Sequence, residues 1–399
     1  MRLPSDLPRE VLAMAGVAFC VALGFGVVAP AIPLLATHFG VDATAAGAVV
    51  SAFALMRLVS GLGAGKLVDR IGERSALVAG IAVVALSSLL AGLAQSYPQL
   101  LVLRGVGGIG SAVFGVAAVG LVLRVASRRL RARAMGVYRS GFLLGGIFGP
   151  AVGGAVLGLS LRAPFFLYAG TLGLGAVVAL VFLARRELPG DPADPARETE
   201  QADTATSPEP TLRSVLRTRQ YQAALVANLA IGLSIFGLRS AIVPLLIVHH
   251  LGAAPGWVGI AFLASSLVQT ALMFPAGRWA DTAGRRPALL AGALVSAAGM
   301  ALLGFSDTLV VALAAMAVFG AGAAALGTAP AALVGDVAGR RSGIVIAVFN
   351  MASDAGAVVG PVLAGFLVDH GSFTAAFGLG AVVIASAGLL GLRLPRGTA

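Results

Sequence analysis

Charged residues are scarce in this 399-residue sequence. Only 11% are Asp, Glu, Lys or Arg, whereas a soluble domain usually carries about 25%. Apolar residues make up 58%, and the mean hydropathy is +0.95. A soluble core cannot enclose this much apolar surface, so the composition excludes a soluble globular protein and predicts that lipid surrounds most of the chain.

Cysteine and lysine are nearly absent. Cys20 is the only cysteine, which excludes an internal disulfide and a cysteine-based metal site. No histidine spacing indicates a metal either, so we predict no metal and no cofactor. Lys66 is the only lysine among 28 basic residues, which is typical of a GC-rich coding sequence and favours a bacterial source.

Several functional signatures are missing as well. Gly65-Lys66 is followed by Leu67, so there is no phosphate-binding Walker A loop. Gly105-x-Gly107-x-x-Gly110 fits a dinucleotide fingerprint, but it lies in an apolar run without a βαβ context and is interpreted as helix packing. No nucleophile–base arrangement indicates an enzyme. The net charge of +11 is spread over short clusters without an aromatic platform, which argues against nucleic-acid binding.

Twelve apolar runs reach the length of about 20 residues that a membrane-spanning helix needs. Two prolines and its length distinguish the first run from a signal peptide. We therefore predict an all-α membrane protein with spans at about 11–36, 44–66, 75–95, 98–123, 134–159, 162–184, 221–249, 255–278, 287–305, 308–334, 342–368 and 372–393.

Basic residues are distributed asymmetrically between the connections. Every second connection is rich in arginine, whereas the intervening connections contain only Arg162. Because basic loops stay in the cytoplasm, we predict that both termini are cytoplasmic and that the protein lies in the plasma (bacterial inner) membrane.

The two halves of the chain repeat one another. Gly65 and Gly277 begin similar charged turns 212 positions apart, and Phe25-Gly26 matches Phe236-Gly237 at an offset of 211. We predict two six-helix bundles, at 1–186 and 213–399, joined by a flexible, proline-rich and acidic cytoplasmic linker at 187–212. Parallel repeats of this kind are typical of rocking transporters.

Four motifs in register resemble those of the major facilitator superfamily, and in particular its twelve-span drug:proton antiporter branch. The resemblance covers essentially the whole chain and implies the fold of that family. The motifs are Gly65-x-Leu67-x-Asp69-Arg70-x-Gly72-x-Arg74 with its second copy, Leu101-x-x-Arg104 followed by Gly108-x-Gly110, Gly145-x-x-x-Gly149-Pro150-x-x-Gly153-Gly154, and Leu23-Gly24 followed by Pro30-x-Ile32-Pro33. Glu73 and Thr282 stand where the family often has basic residues.

The resemblance implies that the charged turns are gates and that Asp69 clasps the start of span eleven to close the cytoplasmic side. Gly65 and Gly72 would allow close helix approach and a sharp reversal. The alternative is that these charges only fix the topology. The predicted gating residues are Gly65, Asp69, Arg70, Gly72, Arg74, Gly277, Asp281, Gly284 and Arg285.

The glycine run in span five is predicted to bend this helix and to contact the other half of the protein. Its residues are Gly145, Gly149, Pro150, Gly153 and Gly154. The resemblance adds the interpretation of an exporter that resists proton leak. Generic packing of small residues between helices is the alternative.

Ionisable residues inside spans are functional candidates because burying charge in a membrane is costly. Asp354 is the only deep carboxylate in the predicted spans, and Arg57 lies at a compatible depth on a span that shares a seam with it in the family. We expect Asp354 to carry the proton and to release Arg57 when protonated, with Arg104 near the proton path. A static buried ion pair is the alternative.

The substrate cavity is expected to involve five residues, although Phe25 and Phe236 could instead pack in the membrane. They are Phe25, Arg239, Phe236, Gln269 and Asn350. The intramembrane arginines favour anionic or neutral amphipathic substrates.

Together these features predict a monomeric secondary transporter that exports small amphipathic, drug-like compounds in exchange for protons. One rival is an importer of a metabolite such as a sugar or an organic acid. Another is a membrane receptor or scaffold without transport, which the short linker and the two retained charged turns disfavour.

Overall fold

The computed structural model describes residues 7–127, 130–182, 212–338 and 343–393. These segments are helical, without strands, and contain twelve helices long and apolar enough to cross a membrane. This confirms the predicted fold class. The helices are α1 Arg9–Val28, α2 Ala43–Ile71, α3 Glu73–Leu93, α4 Tyr97–Val125, α5 Arg131–Leu157, α6 Ala163–Phe182, α7 Arg219–His250, α8 Gly256–Thr282, α9 Arg285–Gly304, α10 Leu309–Ala338, α11 Gly343–His370 and α12 Phe373–Leu390.

The first helix of each half departs from regular α-helix near a proline. The predicted single span at 11–36 is interrupted after Val28, and a second helix, Ala31–His38, follows Pro30. In α7, π-helical turns at Gly232–Arg239 and Leu246–His250 flank the segment containing Pro244. Proline lacks an N–H and clashes with the preceding turn, so the helix breaks or widens there.

The same helix pairs pack together in both halves. Helix α1 packs on α5 and α6, α2 on α4, and α3 on α4 and α6; the second half repeats these pairs with each number raised by six. Glycines permit equivalent close approaches, since a Cβ on Gly26 would lie 3.0 Å from Gly149 Cα and one on Gly237 3.0 Å from Gly360 Cα. The proposed linker at 187–212 lies outside the described residues except for Leu212.

The halves meet mainly along two seams, α2 with α11 and α5 with α8, and α7 makes a smaller contact with Ala31–His38 and α2. We call the face where α2 turns into α3 and α8 into α9 the arginine-rich face, and the other end of the bundle the distal face. Near the distal face a Cβ on Gly47 would overlap Pro361, whereas a Cβ on Gly61, Gly63 or Gly277 would meet no atom within 4 Å. The halves are therefore closed at the distal face and separate toward the arginine-rich face.

Candidate functional site

A cleft lies between the two halves. Three phenylalanines and two arginines dominate its wall, which otherwise consists mostly of small or aliphatic side chains. The cleft is thus an apolar chamber with a few charged groups, the usual composition of a small-molecule site. The aromatic and charged members are Phe25, Phe53, Phe236, Arg57 and Arg104.

Arg57 and Asp354 form an ion pair across the α2–α11 seam. The Arg57 side chain is 36% exposed and that of Asp354 24% exposed, so neither charge is fully buried. One turn away, Ser51 Oγ donates a hydrogen bond to Val358 O over 2.6 Å. The two deep charges that the sequence paired by depth are thus in contact, and their contact joins the two halves.

Arg104 on α4 is almost fully buried, with 3% of its surface exposed, and borders the cleft. Its guanidinium carbon lies 4.5 Å from the centre of the Phe53 ring. Among the described residues it forms no hydrogen bond or ion pair, and its Nε is buried without a partner. The cation–π contact with Phe53 of α2 therefore holds the guanidinium in place without neutralising its charge.

Arg239 on α7 has an aromatic enclosure of its own. It donates a hydrogen bond to Ser265 Oγ over 3.0 Å, and its guanidinium lies 5.1 Å from the Phe262 ring centre and 5.2 Å from that of Phe319. The hydroxyl and the two rings orient this guanidinium toward α8 and α10. Arg239 is thus bound within its own half and does not line the cleft.

The other expected cavity residues divide into two groups. Phe25 and Phe236 line the cleft and are 38% and 51% exposed. Gln269 is half-buried and Asn350 exposed, and neither lines the cleft in this conformation. The aromatic pair related by the repeat therefore reaches the chamber, whereas the two amides do not.

The charged turns differ from the expected geometry at their first glycines. Gly65 and Gly277 lie inside α2 and α8, which continue to Ile71 and Thr282, and the chain reverses only at Gly72 and Gly284. These two glycines have φ of 82° and 98°, a region that favours glycine. The predicted spans, which ended at residues 66 and 278, are therefore too short, because the helices continue to Ile71 and Thr282.

Within the first turn, only some of the charges make contacts. Arg74 donates to Leu180 O over 3.0 Å, and Glu73 pairs with Arg124. Asp69 and Arg70 are exposed and form no hydrogen bond or ion pair with the described part of the chain. The clasp expected of Asp69 is thus open here, as the separated arginine-rich face requires.

The second turn is held locally. Asp281, near the end of α8, pairs with Arg285 at the start of α9, across the reversal at Gly284. Thr282 Oγ1 donates to Arg278 O over 3.0 Å, which leaves this hydroxyl bonded within α8.

The glycine run of α5 packs mainly inside its own half. A Cβ on Gly145, Gly149 or Gly153 would overlap or crowd the α1 backbone. Gly154 and the carbonyl oxygen of Pro150 reach the other half, where they lie against Gly259 of α8. The expected contact between halves is therefore made by these two residues of the run, and Pro150 lies within an unbroken α5.

Sequence reasoning missed a carboxylate at the distal face. Asp369, in the last turn of α11, accepts hydrogen bonds from Ala43 N over 3.0 Å and from Thr44 N over 2.8 Å at the start of α2. A negative charge at the C-terminal end of its own helix is unfavourable, whereas one at the N-terminus of another helix is favourable. The position of Asp369 at the C-terminal end of a helix was the sequence signal that could have predicted its contact with α2.

Known proteins resemble this chain in sequence and fold. It is 26% identical over 360 residues to multidrug resistance protein 2 of Bacillus subtilis (strain 168), covering 88% of this chain and 86% of that protein. It is 27% identical over 222 residues to quinolone resistance protein NorA of Staphylococcus aureus (strain MRSA252), covering 55% and 54%. The crystal structure of the nucleoside transporter NupG superposes with a TM-score of 0.75 at 12% identity, covering 97% of this chain and 100% of that one.

The fold and the cleft define a multi-pass membrane transporter built from two repeated bundles. The sequence model of the Major Facilitator Superfamily matches residues 14–241 and 224–398. The chain belongs to the Major Facilitator Superfamily, which confirms the resemblance inferred from the four motifs. The second match begins at α7, in keeping with the repeat.

Proposed function

We propose that the protein exports small amphipathic, drug-like compounds from a bacterial cell by alternating access, in exchange for protons. Relatives named for multidrug and quinolone resistance support the substrate class and the direction. The excess of arginine in alternate connections supports an orientation with both termini and the arginine-rich face in the cytoplasm. The conformation described here then corresponds to an inward-open state of a protein that works as a monomer.

The observation that carries the proposal is the ion pair between Arg57 and Asp354. A carboxylate that takes up a proton loses the charge that holds its guanidinium partner. Because this pair joins α2 to α11, protonation of Asp354 weakens one of the two seams between the halves. A ligand or proton shifts a conformational equilibrium only through such a differential interaction.

The charged turns are assigned to the opposite state of the cycle. When the arginine-rich face closes, Asp69 reaches the start of α11, where backbone N–H groups favour an anion. Arg70, Arg74 and the second-half residues Asp281 and Arg285 support the two turns. The amphipathic substrate occupies the chamber beside Phe25 and Phe236, which the repeat places at matching positions.

Transport in proteoliposomes tests the proposal. With the arginine-rich face outward and the lumen acidic, we expect the protein to concentrate an amphipathic dye in the lumen. Asp354→Asn should reduce gradient-driven dye transport at least tenfold, while Glu73→Gln, which removes an ion pair within one half, should retain it.

Two results would contradict the proposal. If Asp354→Asn transports dye in a proton-dependent manner at the wild-type rate, the ion pair is static. If the substrate instead moves in the same direction as the protons, the protein is an importer.

A further inference from the structure

The charges at the depth of the cleft do not balance. Three arginines lie there (Arg57, Arg104 and Arg239), and Asp354 is the only carboxylate among the described residues that pairs with any of them. The aromatic and serine contacts of Arg239 leave it outside the cleft wall. Arg104 therefore remains as a cation at the wall without a counter-charge.

Burying a charge without a hydrogen-bond partner is expensive, and an intramembrane charge of this kind indicates a ligand or a path. Only 3% of the Arg104 surface is exposed, so lipid and bulk water contribute little to its solvation. The Phe53 ring fixes one face of the guanidinium. Its Nε is buried without a hydrogen-bond partner, and no other hydrogen bond of this guanidinium is formed with the described residues, so an anion entering from the cleft would supply the missing acceptor.

The aromatic side chains around Arg104 indicate which kind of apolar group carries the anion. Phe53 also lies against Phe25, with ring centres 6.4 Å apart, and Phe236 lines the same chamber. An aromatic or other flat apolar group can pack on these rings while a carboxylate or sulfonate meets the guanidinium. Arg–carboxylate hydrogen bonds are charge-assisted and among the stronger ones in proteins.

We infer that Arg104 is the anion-binding residue of the substrate site and that the substrates include amphipathic aromatic monoanions. This inference rests on the proposed function only in taking the cleft as the substrate chamber. The Arg57–Asp354 pair remains a separate group, so the inference concerns the charge of the substrate and not the direction of proton exchange.

Equilibrium binding to the purified full-length protein in lipid nanodiscs tests this without a proton gradient. Three fluorescent probes of equal ring size are compared: 2-naphthoate, 2-naphthamide and 2-naphthylmethylammonium. We expect 2-naphthoate to bind about tenfold more tightly than either of the others, since tenfold corresponds to about 1.4 kcal/mol. Equal or weaker binding of 2-naphthoate, or no binding of any probe to folded wild-type protein, would overturn the inference.

Variants then identify the residue responsible. Arg104→Gln should bind 2-naphthamide as the wild type does and lose the preference for 2-naphthoate, while Arg104→Lys should retain part of it. Arg217→Gln is the matched control, because it removes the same charge from an exposed position before α7. Persistence of the full preference in Arg104→Gln would exclude Arg104. If Arg104→Gln fails to fold, the comparison of the three probes on wild-type protein and the reduced preference of Arg104→Lys still test the inference.

Failure of this inference and failure of the proposed function give different results. A preference for 2-naphthoate in nanodiscs together with absent dye export would retain the anion site and reject drug export. Dye export without any preference for 2-naphthoate would support drug export and reject the anion site.

Discussion

The two seams between the halves occupy equivalent places in the repeat but are built differently. The α2–α11 seam is polar: it contains the Arg57–Asp354 pair, the Ser51 hydrogen bond and the Asp369 contact with the start of α2. The α5–α8 seam is a contact of small residues, with Gly154 against Gly259.

The residues at matching positions explain this difference. Asp369 of α11 corresponds at an offset of 211 to Gly158, which directly follows α5 and has no side chain to reach across. Both seams thus retain close backbone packing, with Gly47 against Pro361 and Gly154 against Gly259, but only the α2–α11 seam has acquired contacts between ionisable groups and the other half. Among the described residues, an ion pair between the halves is found in the first seam and not in the second.

Overpacking the glycine seam should give the largest effect. A Cβ in Gly259→Ala would overlap the Gly154 backbone, and such overpacking costs about 1–3 kcal/mol. We expect the ratio of the distal-closed to the distal-open state to fall about 5- to 150-fold. The distance between spin labels at Gln95 and Asp307, which lie on distal connections of the two halves, measures this in a background without Cys20.

The control for this variant is Gly63→Ala, because a Cβ on Gly63 would meet no atom within 4 Å. The distance distribution of the control should stay as in the wild type. Equal distributions in the two variants would show that the α5–α8 seam does not determine closure.

Removing the charge of Asp369 should have the next largest effect. Asp369→Asn loses charge-assisted hydrogen bonds to the N-terminus of α2, worth about 1–2 kcal/mol. The same labels should report a shift toward the distal-open state of about 5- to 30-fold. A distance distribution identical to that of the wild type would mean that this contact is incidental.

Asp42→Asn is a suitable comparison, since Asp42 caps the same helix from within its own half by accepting a bond from Ala45 N over 2.8 Å. Asparagine caps helices about as well as aspartate. This variant should therefore leave the distances unchanged.

Asp69→Asn should shift the equilibrium in the opposite direction and by less. Asp69 is exposed in the distal-closed state and gains its expected helix contact only when the arginine-rich face closes. A charge at a helix N-terminus is worth about 0.3–1 kcal/mol, so the distal-closed population relative to the distal-open one should rise about two- to fivefold. A fall in that population would reject the gating role of the charged turn.

The sequence was most informative where a physical constraint acts on the residue type itself. Span length and hydropathy located the twelve helices, and the offset between Gly26 and Gly237 revealed the repeat, because close backbone contacts exclude larger side chains. The depth of Arg57 and Asp354 brought them together, since unpaired charges are costly in a membrane.

Other features depend on tertiary packing, which residue patterns do not encode. The π-helical turns of α7, the aromatic enclosure of Arg239 and the exposure of Asn350 all follow from which helix faces meet. The continuation of α2 from residue 66 to Ile71 was missed because charged residues lower the hydropathy there, whereas the helix itself extends beyond the apolar run.

The most direct test of the central claim is the Gln95–Asp307 distance distribution in Asp354→Asn. If protonation of Asp354 weakens the α2–α11 seam, neutralising it should add a longer-distance, distal-open population that the wild type lacks at alkaline pH. An unchanged short distance in folded Asp354→Asn protein would show that the ion pair does not control the seam, and would contradict the account.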